Sequence, residues 1–65
     1  MGTWHYQIQE YDDKGQKYYQ IVEVYSHGAK TENGVTPTGE TPEELIQDLE
    51  RMLEGAKTHP VLPKE

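Results

Sequence analysis

The sequence lacks cysteine and phenylalanine, and it has no long apolar run. Without cysteine, neither a disulfide framework nor a thiolate metal site can form. The apolar runs are short pairs such as Ile21-Val22 and Leu45-Ile46, far below the ~20 apolar residues of a membrane span. We therefore expect a cytoplasmic protein that has no membrane segment.

Basic residues are also few. Six Lys and Arg residues stand against twelve Asp and Glu residues, which gives a formal net charge of -6. Proteins that bind nucleic acid neutralise phosphates with clustered Lys and Arg, and the six basic residues here are scattered along the chain. The composition predicts no nucleic-acid binding, and the acidic surface suits either solubility or a basic partner.

The length of 65 residues predicts a single domain over residues 1–65. A domain of this size buries only about 60% of the surface that its unfolded chain exposes. Few deep positions are therefore left to shield a catalytic centre.

Two strands open the predicted fold. Residues 3–11 alternate apolar and polar side chains, the period of a half-buried strand, and residues 12–15 resemble a turn that ends at Gly15. Residues 16–26 form the second strand, which is apolar on both faces. Residues 35–38 form a short third strand that Pro37 confines to a sheet edge.

The register of the first hairpin has two alternatives. A four-residue loop pairs Tyr6 with Ile21, whereas a three-residue loop with a bulge at Gly15 pairs Tyr6 with Val22. A slip of one residue exchanges the faces of the strand. We favour the first pairing because it sets Tyr6 and Ile8 opposite the bulkier side chains, although a bulge near Glu23 would reconcile both.

One helix is predicted over residues 42–54. Thr41 is suited to the N-cap, Pro42 to the first helical position and Glu44 to a capping box, while Gly55 is suited to the residue after the helix. Its apolar residues recur at helical spacing and form one stripe: Leu45, Ile46, Leu49, Met52 and Leu53. Residues 56–65 form an extended tail, which either packs on the sheet or frays.

Together these elements predict an α+β fold, with a small antiparallel sheet of about three strands in β-β-β-α order. One amphipathic C-terminal helix packs on one face of this sheet. That arrangement is the simplest way to bury both apolar surfaces.

No set of residues predicts catalysis. His5, His27 and His59 fall on a strand, in a loop and in the tail, without the spacing of metal ligands. The helix carboxylates are expected to form a solvated face, where Asp48 pairs with Arg51 at the surface. We expect neither an enzyme nor a metal, cofactor or small-molecule substrate.

The aromatic side chains predict protein binding instead. The chain has five Tyr and one Trp, more than a helix of about 13 residues can cover, and Tyr and Trp are enriched at interface hot spots. The candidate binding residues are Tyr11, Tyr18, Tyr25 and Glu23. Glu23 either faces solvent at an edge or contacts the helix or a partner, and the partner is another protein or a second copy of the chain.

Nearly the whole chain resembles a group of small uncharacterised bacterial proteins that has no established activity. The resemblance implies the fold and a bacterial cytosolic origin, and it supplies no functional residues. The similar segments are Trp4-His5-Tyr6, Tyr19 to Tyr25, Thr31 to Val35, Gly39 to Leu45, Asp48 to Leu53, and Pro60-Val61-Leu62.

A second resemblance covers the start of the helix. HicB-type antitoxins have a small sheet followed by a Gly-Asp/Glu-Thr-x-Glu-Glu segment that opens a helix, and residues 39–44 are similar to it. This resemblance implies a domain that neutralises a small basic protein. It is the alternative to an acidic, non-enzymatic binding module of the uncharacterised family.

Overall fold

The computed structural model describes residues 3–64 and has an α+β fold. Strand β1 spans Trp4–Asp13, strand β2 spans Gln16–Tyr25, and helix α1 spans Pro42–Thr58. The two strands form an antiparallel two-stranded sheet, and α1 packs mainly against β1. No helix within residues 3–64 is long and apolar enough to cross a membrane.

The register of the hairpin differs from both predicted alternatives. Tyr6 pairs with Glu23 and Ile8 with Ile21, so both predicted pairings are wrong, and pairing runs through Glu23 without a bulge. The loop contains only Lys14 and Gly15, with φ of 55° and 87°, as two-residue hairpin turns of type I′ require. This turn type was not predictable from the sequence, because its first position is Lys14 and lysine rarely adopts positive φ.

The predicted third strand at residues 35–38 is not present in the described chain. Instead, isolated hydrogen bonds join residues 29–35 to the outer edge of β2, including Thr31 N–H to Glu23 O at 3.0 Å and Val35 N–H to Ile21 O at 2.9 Å. Beyond Val35, Pro37 has no N–H to continue a ladder. The predicted strand is therefore replaced by an irregular edge segment.

The C-terminal tail pairs with the other edge of β1. Leu62 N–H donates to Ile8 O at 2.8 Å, and Glu10 N–H donates to Leu62 O at 2.9 Å, which forms a parallel bridge. The buried Gln7 and Gln9 side chains donate to the carbonyl oxygens of residues 60 and 63. The prediction left open whether the tail packs on the sheet or frays, and in the structure it packs on the sheet.

Helix α1 begins as predicted and ends later. The Thr41 hydroxyl accepts from Glu44 N–H at 3.2 Å, so the predicted N-cap is confirmed, and the Glu44 carboxylate accepts from Glu40 N–H. The predicted end at residue 54 is wrong, because Gly55 lies inside the helix. The helix runs to Thr58, and the His59 N–H closes it by donating to Gly55 O.

The buried apolar core is small. It comprises Tyr6, Val22 and Met52, and among the described residues only Val22 is completely buried among the large side chains. The Cα radius of gyration is 12.6 Å, against about 10.7 Å for a compact chain of this length. The molecule is therefore elongated, with extents of 38 × 27 × 19 Å, and its core is small.

Candidate protein-binding surface

A buried hydrogen bond fixes α1 on the sheet. The Tyr6 hydroxyl donates to Asp48 Oδ1 at 2.6 Å, and Thr38 N–H donates to Asp48 Oδ2 at 3.0 Å. Arg51 Nη2 lies 3.6 Å from Asp48 Oδ1. The Asp48 side chain is buried, so the expectation that it belongs to a solvated face is wrong.

This contact shifts the pKa of both partners. Burial raises the pKa of the Tyr6 hydroxyl to about 12, and the hydrogen bond to Asp48 and its negative charge add to the shift. The hydrogen bond from Tyr6 is the main cause that lowers the pKa of the Asp48 carboxyl, and Thr38 N–H and Arg51 lower it further. Burial acts in the opposite direction but is outweighed by these three effects. The pair is therefore held as a neutral phenol and a carboxylate.

Gly55 sets how closely α1 approaches β1. A Cβ at this position would lie 2.2 Å from Tyr6 O, so only glycine allows the helix this close to the strand. Asp48, Met52 and Gly55 are the buried residues of α1, at spacings of four and three. They mark the side of the helix that faces the sheet.

The predicted apolar stripe lies beside this sheet-facing side. At 100° per residue, Leu49 points about a quarter turn away from Asp48. Only Met52 of the stripe is buried, so the expectation that the sheet covers the whole stripe is wrong. We call the other four residues the apolar face of α1, and their exposed fractions are 37% for Leu45, 54% for Ile46, 45% for Leu49 and 59% for Leu53.

One side of the apolar face carries acidic residues, which we call the acidic flank: Glu43, Glu50 and Glu54. All three are exposed, and none forms an ion pair with another described residue. Lys57, in the last turn, is the basic residue on this side. The apolar face is thus bordered mainly by carboxylates.

Tyr11 and Tyr18 lie together near the hairpin turn. They are directly opposite in the register, and their rings stack with centroids 5.2 Å apart. The Tyr11 hydroxyl donates to Glu32 O at 3.0 Å, while Tyr18 is 42% exposed. Their pairing stabilises the hairpin, and their role in binding stays a prediction.

Glu23 and Tyr25 lie on the opposite face of the sheet from Tyr11 and Tyr18, because partners in the register share a face and Glu23 pairs with Tyr6. The Tyr25 hydroxyl donates to Glu23 Oε1 at 2.5 Å, which raises the pKa of Tyr25. Glu23 is half-buried. The structure thus divides the four predicted residues between two faces, so they do not form one surface.

Two histidines meet near the end of α1. The rings of His5 and His59 stack with centroids 3.8 Å apart, beside a surface pocket of about 360 Å³ that Trp4, Arg51 and Glu54 also line. His5 hydrogen-bonds with Gln7, and His59 with Gly55 O. No group of three or more His, Asp or Glu within residues 3–64 is placed to hold a metal ion.

The periodicity of the sequence predicts the residues of the apolar face as one stripe, but the prediction that this stripe belongs to the core is wrong. A signal for the true arrangement was present. Asp48 and Gly55 fall on the same helical side as Met52, and a small polar residue and a glycine at these positions favour a close, hydrogen-bonded contact with a strand. When this side of α1 faces the sheet, the stripe of Leu45, Ile46, Leu49 and Leu53 lies to one side of the contact and stays exposed.

Comparisons of the chain with protein-family models, with curated proteins and with solved structures find no match.

Proposed function

We propose that the protein is a small, acidic, non-enzymatic protein-binding module whose binding surface is the apolar face of α1. The observation that carries this proposal is the exposure of four neighbouring aliphatic side chains on one helix. Contiguous exposed apolar patches on a small soluble domain mark interaction sites. Binding a partner would remove this surface from water, at about 25 cal/mol per Å².

The buried pair of Tyr6 and Asp48 supports a non-enzymatic role. Catalysis by paired acids and bases needs groups that converge on a pocket and titrate near neutral pH. Here the buried Tyr6 and Asp48 hydrogen-bond with each other, and their pKa values move away from neutrality. Both residues serve instead to hold the helix.

A pull-down with matched variants tests the proposal. The tagged chain, the variant Leu53→Ser and the control Val61→Ser are incubated with lysate of the source organism. Val61 is 47% exposed and lies outside α1. We expect a protein that is retained by the parent and the control and is lost with Leu53→Ser, whereas identical retention by all three chains would contradict the proposal.

Sedimentation equilibrium of the same three chains, from micromolar to near-millimolar concentration, tests whether the partner is a second copy. If it is, the parent and Val61→Ser form a concentration-dependent dimer that Leu53→Ser weakens. A monomer at all concentrations points to a different protein.

The acidic flank favours a second candidate function. Carboxylates beside an apolar face suit a basic partner, as in an antitoxin-like domain of the HicB type that neutralises a small basic protein in a bacterial cytoplasm. A small basic protein among those captured by the parent chain would support this candidate, provided that Leu53→Ser loses it.

A further inference from the structure

We propose that the apolar face of α1 binds an amphipathic helix whose polar border is basic. This inference rests on the proposed function and names the partner by its chemistry.

The spacing of the apolar face suits a helix as occupant. Ile46, Leu49 and Leu53 follow at intervals of three and four, the spacing of core positions in paired helices. Leu45 widens the same stripe, and all four residues are exposed. A second helix can therefore lie along α1 with its own aliphatic residues between these side chains, as in other modes of helix recognition.

The charges beside the stripe indicate which charged residues the partner helix carries. Glu43, Glu50 and Lys57 follow at intervals of seven residues, so they lie at equivalent positions along one border of the stripe, with Glu54 behind them. The part of the border beside Ile46 and Leu49 is therefore acidic, and its C-terminal end carries one basic residue. These carboxylates form no ion pair with another described residue. Lys or Arg at the facing positions of a partner helix would pair with them across the border.

A second copy of the chain fits this border less well than a helix whose border is wholly basic. A two-fold axis that centres the stripe passes near Leu49, and residues near such an axis meet their own counterparts. Glu50 would then face Glu50 of the copy, while Lys57 of each chain would lie near Glu43 of the other. Each chain also carries a net charge of -6, so self-association brings like charges together.

The size of the apolar face also favours a helical segment over a dimer. A standard interface buries about 800 Å² on each partner, about a sixth of the 5051 Å² that this molecule exposes. The four side chains of the apolar face are on average about half exposed, so they supply only part of that area. A single helix needs a smaller contact.

Two synthetic peptides test the inference. Both have 17 residues, the length of α1, with leucines at three- and four-residue spacing. One has Lys at every border position, and the other has Glu there. Isothermal titration with the full chain is expected to show about five- to tenfold tighter binding of the Lys peptide, with a preference that declines as salt is added.

Charge-reversal variants provide the decisive comparison. Glu43→Lys/Glu50→Lys is expected to reverse the preference, so that the Glu peptide binds more tightly. The control Asp13→Lys/Glu32→Lys raises the net charge by the same four units at exposed positions outside α1 and is expected to keep the preference for Lys. Circular dichroism establishes that both variants stay folded.

The other outcomes separate the two proposals. Equal binding of both peptides, weakened by Leu53→Ser, overturns the basic partner and leaves the proposed function standing. The same holds if neither peptide binds and the chain forms a dimer that Leu53→Ser disrupts. If neither peptide binds and the chain is a monomer at near-millimolar concentration, the basic helix is overturned, and the pull-down decides the proposed function. Both proposals fail if the pull-down also retains no protein that Leu53→Ser loses.

Discussion

At the scale of single residues, the contact between Tyr6 and Asp48 decides how the molecule is arranged. It joins β1 to α1 across 42 positions of the sequence, and both side chains are buried. A hydrogen bond to a charged group is stronger than a neutral one, and loss of the Tyr6 hydroxyl would leave buried Asp48 Oδ1 without its hydrogen-bond donor, which is costly. Stability should therefore depend on one hydroxyl group.

Tyr6→Phe removes only that hydroxyl and should lower the free energy of unfolding by about 2 kcal/mol. For a domain of this size the melting temperature should fall by roughly 8–16 °C, which thermal denaturation followed by circular dichroism measures. The control is Tyr19→Phe, because Tyr19 is 57% exposed. Equal melting temperatures for the two variants would contradict the role of the contact.

The same contact predicts two limits of pH stability. Since the folded pKa of Asp48 is lowered, its contribution is present above the ordinary pKa of Asp and is lost as the pH falls below it. Since the folded pKa of Tyr6 is raised to about 12, its contribution is present below pH 10 and is lost between about pH 10 and 12.

Urea denaturation across pH measures both limits. We expect Asp48→Asn to flatten the acidic decline and Tyr6→Phe to flatten the alkaline one. Ultraviolet titration of the tyrosines should also lose its highest-pKa step in Tyr6→Phe, and an unchanged titration would show that another tyrosine has this pKa.

At the scale of elements, the position of α1 depends on Gly55. In an ordinary helix interior, glycine is less stable than alanine by up to about 1 kcal/mol. Here the Cβ of an alanine would meet Tyr6 O at 2.2 Å, so the helix would have to move away from β1. The steric cost should exceed the gain in helix propensity.

Gly55→Ala is therefore expected to destabilise the fold by about 1–3 kcal/mol. The matched control is Gln47→Ala at an exposed helix position, which should change stability by no more than about 0.5 kcal/mol. Urea denaturation of both variants is the measurement. A stabilised Gly55→Ala would show that α1 does not approach β1 this closely.

The elements were predictable from the sequence to different extents. Local signals determine the start of α1, because Thr41, Pro42 and Glu44 act within one helical turn. The register and the orientation of the helix were not predictable in this way. The register depends on positive φ at Lys14, which is rare for lysine. The orientation depends on the hydrogen bond between Tyr6 and Asp48. Asp48 and Gly55 mark one side of the helix, but nothing in the local sequence identifies Tyr6 as the partner. The exposed stripe follows from that orientation, so the candidate site was mistaken for core.

At the scale of the whole molecule, the chain is held together by contacts between its two ends. Leu62 forms two backbone hydrogen bonds with β1, and the Gln7 and Gln9 amides donate to tail carbonyls. Both glutamine side chains are buried. Without the tail, the Gln7 amide and one edge of β1 would lose these partners, and the Gln9 amide would keep its hydrogen bond to Glu10 O. These contacts matter because the core is small.

Truncation after His59 should therefore lower stability by several kcal/mol, since it removes two backbone and two side-chain hydrogen bonds that contribute about 0.5–1.5 kcal/mol each. Removal of residues 64 and 65 alone breaks the 3.7 Å ion pair between Lys64 and Asp12. Exposed pairs contribute about 0–1 kcal/mol, so this control should melt close to the parent. Similar melting of the two truncated chains would rule out a stabilising role for residues 60–63.

The parallel bridge between β1 and Leu62 also has a consequence for the time course of synthesis. β1 leaves the ribosome about 50 residues before Leu62, and at 5–20 residues per second the interval is roughly 3–10 s. During that interval the edge of β1 that later pairs with Leu62 has unpaired N–H and C=O groups, which other strands can bind. Nascent chains would be most prone to aggregate in those seconds, before residues 60–62 are made.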